Sequence, residues 1–208
     1  MKTKYHRAIT AQALQDDFSP AALEQVIAAN LGQDHWLRGQ IGHDEYHFDR
    51  NAFRQGWSYI EINRAMIRPA LEAGQPLQAR QALGRLTHAA QDFYAHSNYI
   101  PRWLARFSEG SRPAPEQVDP FDRALLEDPG LRSGKLYYPL EVLSFIPALG
   151  KYVLPLLPRD SHAWMNLDDP GQGPGFDYAF AAAVKRTRAE FERSRDGFPA
   201  DLLDLFLI

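Results

Sequence analysis

Residues 76–100 read PLQARQALGRLTHAAQDFYAHSNYI, and the reading of this stretch decides the fold. Pro76 suits the first position of a helix, where an N–H would lack an intrahelical partner in any case. Leu83, Leu86, Ala90 and Phe93 recur at helical spacing as one apolar stripe. Ser97-Asn98 and Pro101 favour termination near the end of the run. On this helix His88, Asp92 and His96 form the pattern H-x-x-x-D-x-x-x-H. Side chains four apart stack on one face, so the pattern covers about 12 Å of axis. His88 and Asp92 have the spacing to share one metal ion, and His96 reaches a second ion or the far end of a cleft. The competing interpretation is a buried polar ladder in which Asp92 merely orients a histidine. Three ionisable residues on an Ala/Leu/Phe helix are costly to bury without a compensating partner.

The flanking sequence is helical too. A first helix is expected over Tyr5–Leu14. A second has Ser19 as N-cap, Pro20 at its first position and Gly32 as its closing residue. A third is expected from Asn51 through Leu71, broken by Gly74, and a late one from about Phe176 to Arg195. Phe198 to Ile208 reads as a short docked terminal helix. No useful β-alternation or internal repeat is present, so the expectation is a compact all-α, multi-helical fold. One domain is expected over residues 1–208, with an exposed loop around 108–120 and an apolar, proline-containing segment over 136–158.

Composition narrows the chemistry. With no cysteine among 208 residues, disulfides, thiolate nucleophiles and Cys-ligated zinc are excluded. Any metal site must be built from nitrogen and oxygen. Lys+Arg total 23 against 26 Asp+Glu, a formal charge of -3, so no stable nucleic-acid complex is expected. No apolar run is long enough for a transmembrane segment, and the amino-terminal stretch lacks the apolar core of a signal peptide. The expected location is cytoplasmic, with signal-independent export as the other route.

Five or six of the seven histidines can be placed around one centre. His43, Asp44, Glu45, His47 and Asp49 crowd into IGHDEYHFD, where spacing alone leaves open which histidine is a ligand. His6 lies in YHRAITAQAL and His162 in DSHAWMNLDD, beside Asn166, Asp168 and Asp169. Taken alone, each of these clusters also reads as packing, capping or an exposed polar segment. His35, next to Trp36, has no comparable carboxylate spacing and reads as surface or packing.

YHRAIT, HDEYH, LGRLTHAAQDFYAHSNYI and SHAWMNLDD occur here in an order that resembles the zinc-dependent phospholipase C superfamily. The resemblance is to its bacterial phospholipase C-like and heterokaryon-incompatibility-like group, and more distantly to the single-strand-specific zinc nucleases. It implies a phospholipase C/zinc nuclease-like helical domain with two or three Zn2+ ions. Asp92 would bridge two of them. His88 would join Asp44 and His47, or His43, around one; His6 would share the other with Asp92, and His96 with His162 would hold the last. Where the family has a carboxylate four residues beyond its second histidine, this chain has Asn166, so either Asp168 or Asp169 substitutes or that metal is weak or absent. The amino-terminal ligand of the secreted members is also in doubt, and a carbonyl near Tyr5 or solvent would stand in.

The resemblance therefore implies a zinc-dependent phosphodiester hydrolase acting on a small phosphodiester or phospholipid-like substrate, with Asp44 and Asp92 catalytic. Arg50, Arg54 and Arg85 are phosphate-contact candidates that read equally as surface salt bridges. The alternatives are an iron- or manganese-dependent enzyme of different chemistry on the same ligands, and a noncatalytic metal-stabilised interaction module. LSFIPALGKYVLPLLP, with Phe145, Ile146, Leu149, Tyr152, Val153, Leu154, Leu156 and Leu157, reads either as core packing or as a groove or lipid-facing rim.

Overall fold

The computed structural model describes residues 1–35, 39, 42–144 and 146–208. Among them the chain is all-helical, with isolated bridges Ser97–Ser133 and Lys135–Ser161 and no strands. In chain order the α-helices are α1 Thr3–Leu14, α2 Pro20–Leu31, α3 Asp44–His47, α4 Phe53–Glu72, α5 Pro76–His96 and α6 Tyr99–Leu104. They continue with α7 Arg123–Leu126, α8 Leu140–Ser144, α9 Pro147–Val153, α10 His162–Met165, α11 Gly175–Arg195 and α12 Ala200–Leu207.

Helix α5 is the axis of the molecule, with α2, α4 and α11 packed around it. Sixteen of its 21 residues are buried, so the helix has no solvated face over its second half. Its polar side chains must therefore find partners inside. Phe93 meets Phe48 at 5.3 Å and Trp57 at 5.0 Å between ring centroids, which seats α4 on one side. On the other side Gly84 lets α2 approach. A Cβ there would fall 2.3 Å from the Val26 carbonyl oxygen.

Helix α2 starts as its sequence implies, with Ser19 Oγ accepting the Ala22 N–H at 3.3 Å. Its end differs. Gly32 keeps right-handed angles (φ -61°) and passes directly into a 3-10 turn, Gly32–Asp34. The extra turn carries Asp34 toward the histidines. Between α3 and α4, Phe48, Arg50 and Asn51 all have positive φ (57°, 53° and 59°), an uncommon backbone for side-chain-bearing residues. It is held from outside: Arg50 N–H donates to Gly134 O at 2.8 Å, and Asn51 exchanges hydrogen bonds with Ser133 at 2.8 and 2.7 Å.

Residues 133–135 thus act as a strap. Gly134 N–H also donates to His96 O at 3.0 Å, and His162 N–H to Lys135 O at 2.9 Å. One short backbone run fixes the end of α5, the turn carrying Asp49 and the start of α10. The 108–120 stretch holds two 3-10 turns, Glu109–Ser111 and Pro115–Gln117, and buries Val118 and Pro120.

Candidate metal centre

Nine acid and histidine side chains from five places in the chain meet at the carboxyl-terminal half of α5. Asp92, fully buried, stands in the middle. Its Oδ2 faces His47 Nδ1 at 2.8 Å and His88 Nε2 at 3.1 Å. Its Oδ1 faces His6 Nε2 at 3.1 Å and His96 Nε2 at 3.6 Å, and the Met1 amino nitrogen lies against it. His6 and His88 stack at 4.2 Å, and Asp34 approaches both, at 4.0 Å from His6 Nε2 and 3.7 Å from His88 Nε2. His6, Asp34, His88 and Asp92 each offer one donor atom within 4.8 Å of the others.

A second group adjoins the first. Asp49, His96 and His162 also bring donor atoms within 4.8 Å of one another. Asp49 Oδ1 lies 3.0 Å from His162 Nδ1 and 3.5 Å from His96 Nδ1. Asp168 closes the far side, at 3.1 Å from His96 Nε2 and 3.6 Å from His162 Nε2. The Met1 amine is 3.1 Å from both His96 Nε2 and Asp168 Oδ1.

Three rings are aimed by their outer nitrogens. A carbonyl oxygen only accepts, so the 2.6 Å contact of His6 Nδ1 with Gln91 Oε1 places the proton on Nδ1 and turns the Nε2 lone pair inward. His96 Nδ1–H donates to His47 O at 2.9 Å, and His47 Nε2–H to Gly39 O at 3.3 Å. Gln91 is itself fixed, donating to Thr10 Oγ1 and Thr187 Oγ1 at 3.0 Å each.

The electrostatics keep the carboxylates charged. Burial pushes the Asp92 carboxyl up, but His96, the Met1 amine, His6 and His88 outweigh it and hold it well below the usual range. Asp168 is likewise held well below, its burial outweighed by the Met1 amine and His96. Asp49 is lowered as His162 and His96 overcome its desolvation. Burial, then the neighbouring His6, pushes His88 down to about 4, so its ring is neutral near pH 7. Anionic carboxylates and a neutral His88 are the protonation states that metal ligation requires, whereas Asp92 pushes His47 up and Asp49 with Asp168 pushes His162 up against their burial, so an ion held there must displace those protons.

A metal ion fits these residues. His6 Nε2 and Asp34 Oδ2 are buried with no hydrogen-bond partner although they face the same point, and His88 Nδ1 is buried and unpartnered as well. Buried polar atoms are rarely left in this state, and an ion between them would satisfy the inward pair. The nitrogen and oxygen donor set suits zinc, iron or manganese. A cavity of about 570 Å³ opens onto the cluster, lined by Asp34, His47, Asp49, His96, His162 and Asp168 and walled by Leu136, Tyr138 and Val142.

The structure brings together His6, His47, His88, Asp92, His96, His162 and Asp168. It leaves His43 and Asp44, expected as ligands and, for Asp44, as catalytic, outside the two donor groups. His43 stacks on Tyr46 at 4.4 Å with Glu45 at 3.2 Å, and Asp44 is half-buried beside Arg50 at 3.9 Å. Burial pushes the Asp44 carboxyl up. Asn166 faces away, donating to His162 O at 2.9 Å, and Asp169 caps the following turn through Gly171 N–H at 2.7 Å while pairing with Lys2. His35 is exposed, and its neighbour Trp36 lies outside the described residues. Asp34 and Asp49 carry no spacing signal. Asp34 depends on the 3-10 turn after α2, and Asp49 on the left-handed turn after α3.

Residues 2–104 match the family model of the VWA7 N-terminal domain. The chain is 40% identical over 83 residues to the rat (Rattus norvegicus) von Willebrand factor A domain-containing protein 7, covering 38% of this chain and 9% of that protein. It is 39% identical to the mouse (Mus musculus) protein and 37% identical to the human (Homo sapiens) one over the same length. The aligned segment spans less than a tenth of these curated relatives. No solved structure matches the chain. These likenesses overturn the phospholipase C resemblance. The segment holding His6, HDEYH and the HAAQDFYAHSN motif is the one that the VWA7 N-terminal domain model matches. The phospholipase C-like phosphodiester hydrolase falls with it, while the all-helical class stands.

Proposed function

We propose that the domain is a metal-dependent module whose centre holds two divalent transition-metal ions on either side of Asp92, with a small substrate reaching them through the cleft. The observation that carries this reading is the convergence of two nitrogen–oxygen donor groups on a buried aspartate, with inward-facing donors left unpartnered. His6, Asp34 and His88 with Asp92 Oδ2 or Oδ1 would hold one ion, and Asp49, His96, His162 and Asp168 the other. Divalent ions held in such a site act as Lewis acids and lower the pKa of bound water. The chain's own part is to fix the donors and to shape access. Gln91 orients His6, the 133–135 strap positions Asp49 and His162, and the apolar wall at Leu136, Tyr138 and Val142 screens one side from bulk water. The opening on the cleft side distinguishes this centre from a closed structural zinc site, which is fully ligated by protein.

The test is metal analysis with anomalous scattering at the zinc, iron and manganese edges. The expected result is about two ions per chain for the wild type, falling to one or fewer in Asp92→Asn. A wild-type chain that holds no stoichiometric metal after loading with each ion overturns the reading.

A further inference from the structure

Segment 136–158 inverts the usual pattern of a water-facing surface. Eight of the thirteen exposed large apolar side chains among the described residues lie between Tyr138 and Leu156. Val142 is 49% exposed, Ile146 43%, Tyr152 66% and Leu156 71%. Core packing, expected from the sequence as one possibility, holds among the described apolar residues of this stretch for Leu157 alone; Phe145 lies outside the described residues. Contiguous exposed apolar surface of this kind marks an interaction site.

The fold holds these side chains outward by polar anchors on the inner side. Helices α8 and α9 pack on each other. Glu141, fully buried, accepts the Tyr137 N–H at 2.7 Å and the Ala163 N–H at 2.5 Å, which ties α8 to α10. Trp164 Nε1–H donates to Leu154 O at 3.0 Å and ties down the turn after α9.

Charge selects the occupant. From residue 136 to residue 158 the ionic side chains are Glu141 and Lys151, and Glu141 is buried, so the exposed charge on the segment is positive; Arg159 follows it, and the carboxylate of the next residue, Asp160, is paired with Lys135 at 2.8 Å. Lys151 stands on α9 over the Tyr152 ring at 4.8 Å, and Arg159 lies over Trp164 at 3.9 Å. Apolar side chains rimmed by cations and tyrosines are the composition of an interfacial lipid-binding face. A twofold dimer through this face would set the same cations against each other with no carboxylate of the segment to receive them.

We propose that the α8–α9 face docks onto an anionic lipid surface. This does not depend on the metal reading, although Tyr138 and Val142 also line the cleft and place its mouth beside the docked face. Vesicle co-sedimentation of the 208-residue chain tests it, with phosphatidylcholine alone and with phosphatidylserine added. The wild type is expected to pellet with the mixed vesicles. Tyr152→Glu/Leu156→Glu should weaken binding more than about tenfold, and Lys151→Glu about fivefold. Far-UV circular dichroism checks that these surface variants stay folded. The proposal is overturned when the wild type stays in the supernatant with both vesicle types, or when the double variant pellets like the wild type. It is equally overturned when analytical ultracentrifugation finds a dimer that the double variant splits while vesicle binding is absent.

Discussion

Gln91 precedes Asp92 and settles how His6 meets the centre. Its amide oxygen accepts from His6 Nδ1 and from Asn30 Nδ2, while its nitrogen reaches Thr10 and Thr187, so four helices share one side chain. Replacing it with leucine removes the acceptor that fixes the His6 tautomer. On the metal-centre reading, Gln91→Leu should lower metal affinity about 10–100-fold in chelator competition. Gln91→Glu keeps an acceptor for His6 and should recover most of that loss, which a purely packing role would not explain. The two histidines of HDEYH should separate as sharply. His47→Ala should reduce metal content, and His43→Ala, whose ring stacks on Tyr46 away from Asp92, should leave it unchanged. The register of His88, Asp92 and His96 was legible in the sequence because i, i+4 geometry is local to a helix. The choice between His43 and His47 was not, since it rests on a turn whose backbone is held by residues eighty positions away.

At the scale of elements, the long helices follow their caps and stripes closely. Helix α5 runs Pro76–His96 and α11 Gly175–Arg195, near the bounds that proline, glycine and apolar spacing imply. The short helices α3, α8, α9 and α10 left no such trace, because a single turn has too few residues to show a period. The contact of α2 with α5 gives a direct test. A methyl group at Gly84 would meet Val26 O at 2.3 Å and Ala29 Cβ at 2.7 Å, so the two helices must move apart. Gly84→Ala is expected to cost about 1–3 kcal/mol despite its better helix propensity, seen as a lower urea midpoint with an unchanged slope. Ser19→Ala, which removes the α2 cap, should cost about 1 kcal/mol in the same measurement.

Across the whole molecule, the bundle is tied by buried charge as well as by its apolar core. Glu190 on α11 is fully buried, accepts from Arg186 Nε at 2.6 Å and pairs with Arg64 on α4. Removing one member of such a group strands the others. Glu190→Ala leaves Arg186, only 6% exposed, without its carboxylate and should destabilise the fold by about 3–5 kcal/mol in denaturant titration. The sequence by itself determined the helical class, the nitrogen–oxygen chemistry of any metal site and the ladder on α5, because composition and local periodicity are properties of neighbouring residues. Only the tertiary structure decided that Asp34 and Asp49 join that ladder, that His43 and Asp44 do not, and that the apolar stretch after Tyr138 faces outward. Each of these depends on where distant backbone places a side chain: the turn after α2, the 133–135 strap and the anchoring of Glu141 beneath α8. None of them has a period along the chain.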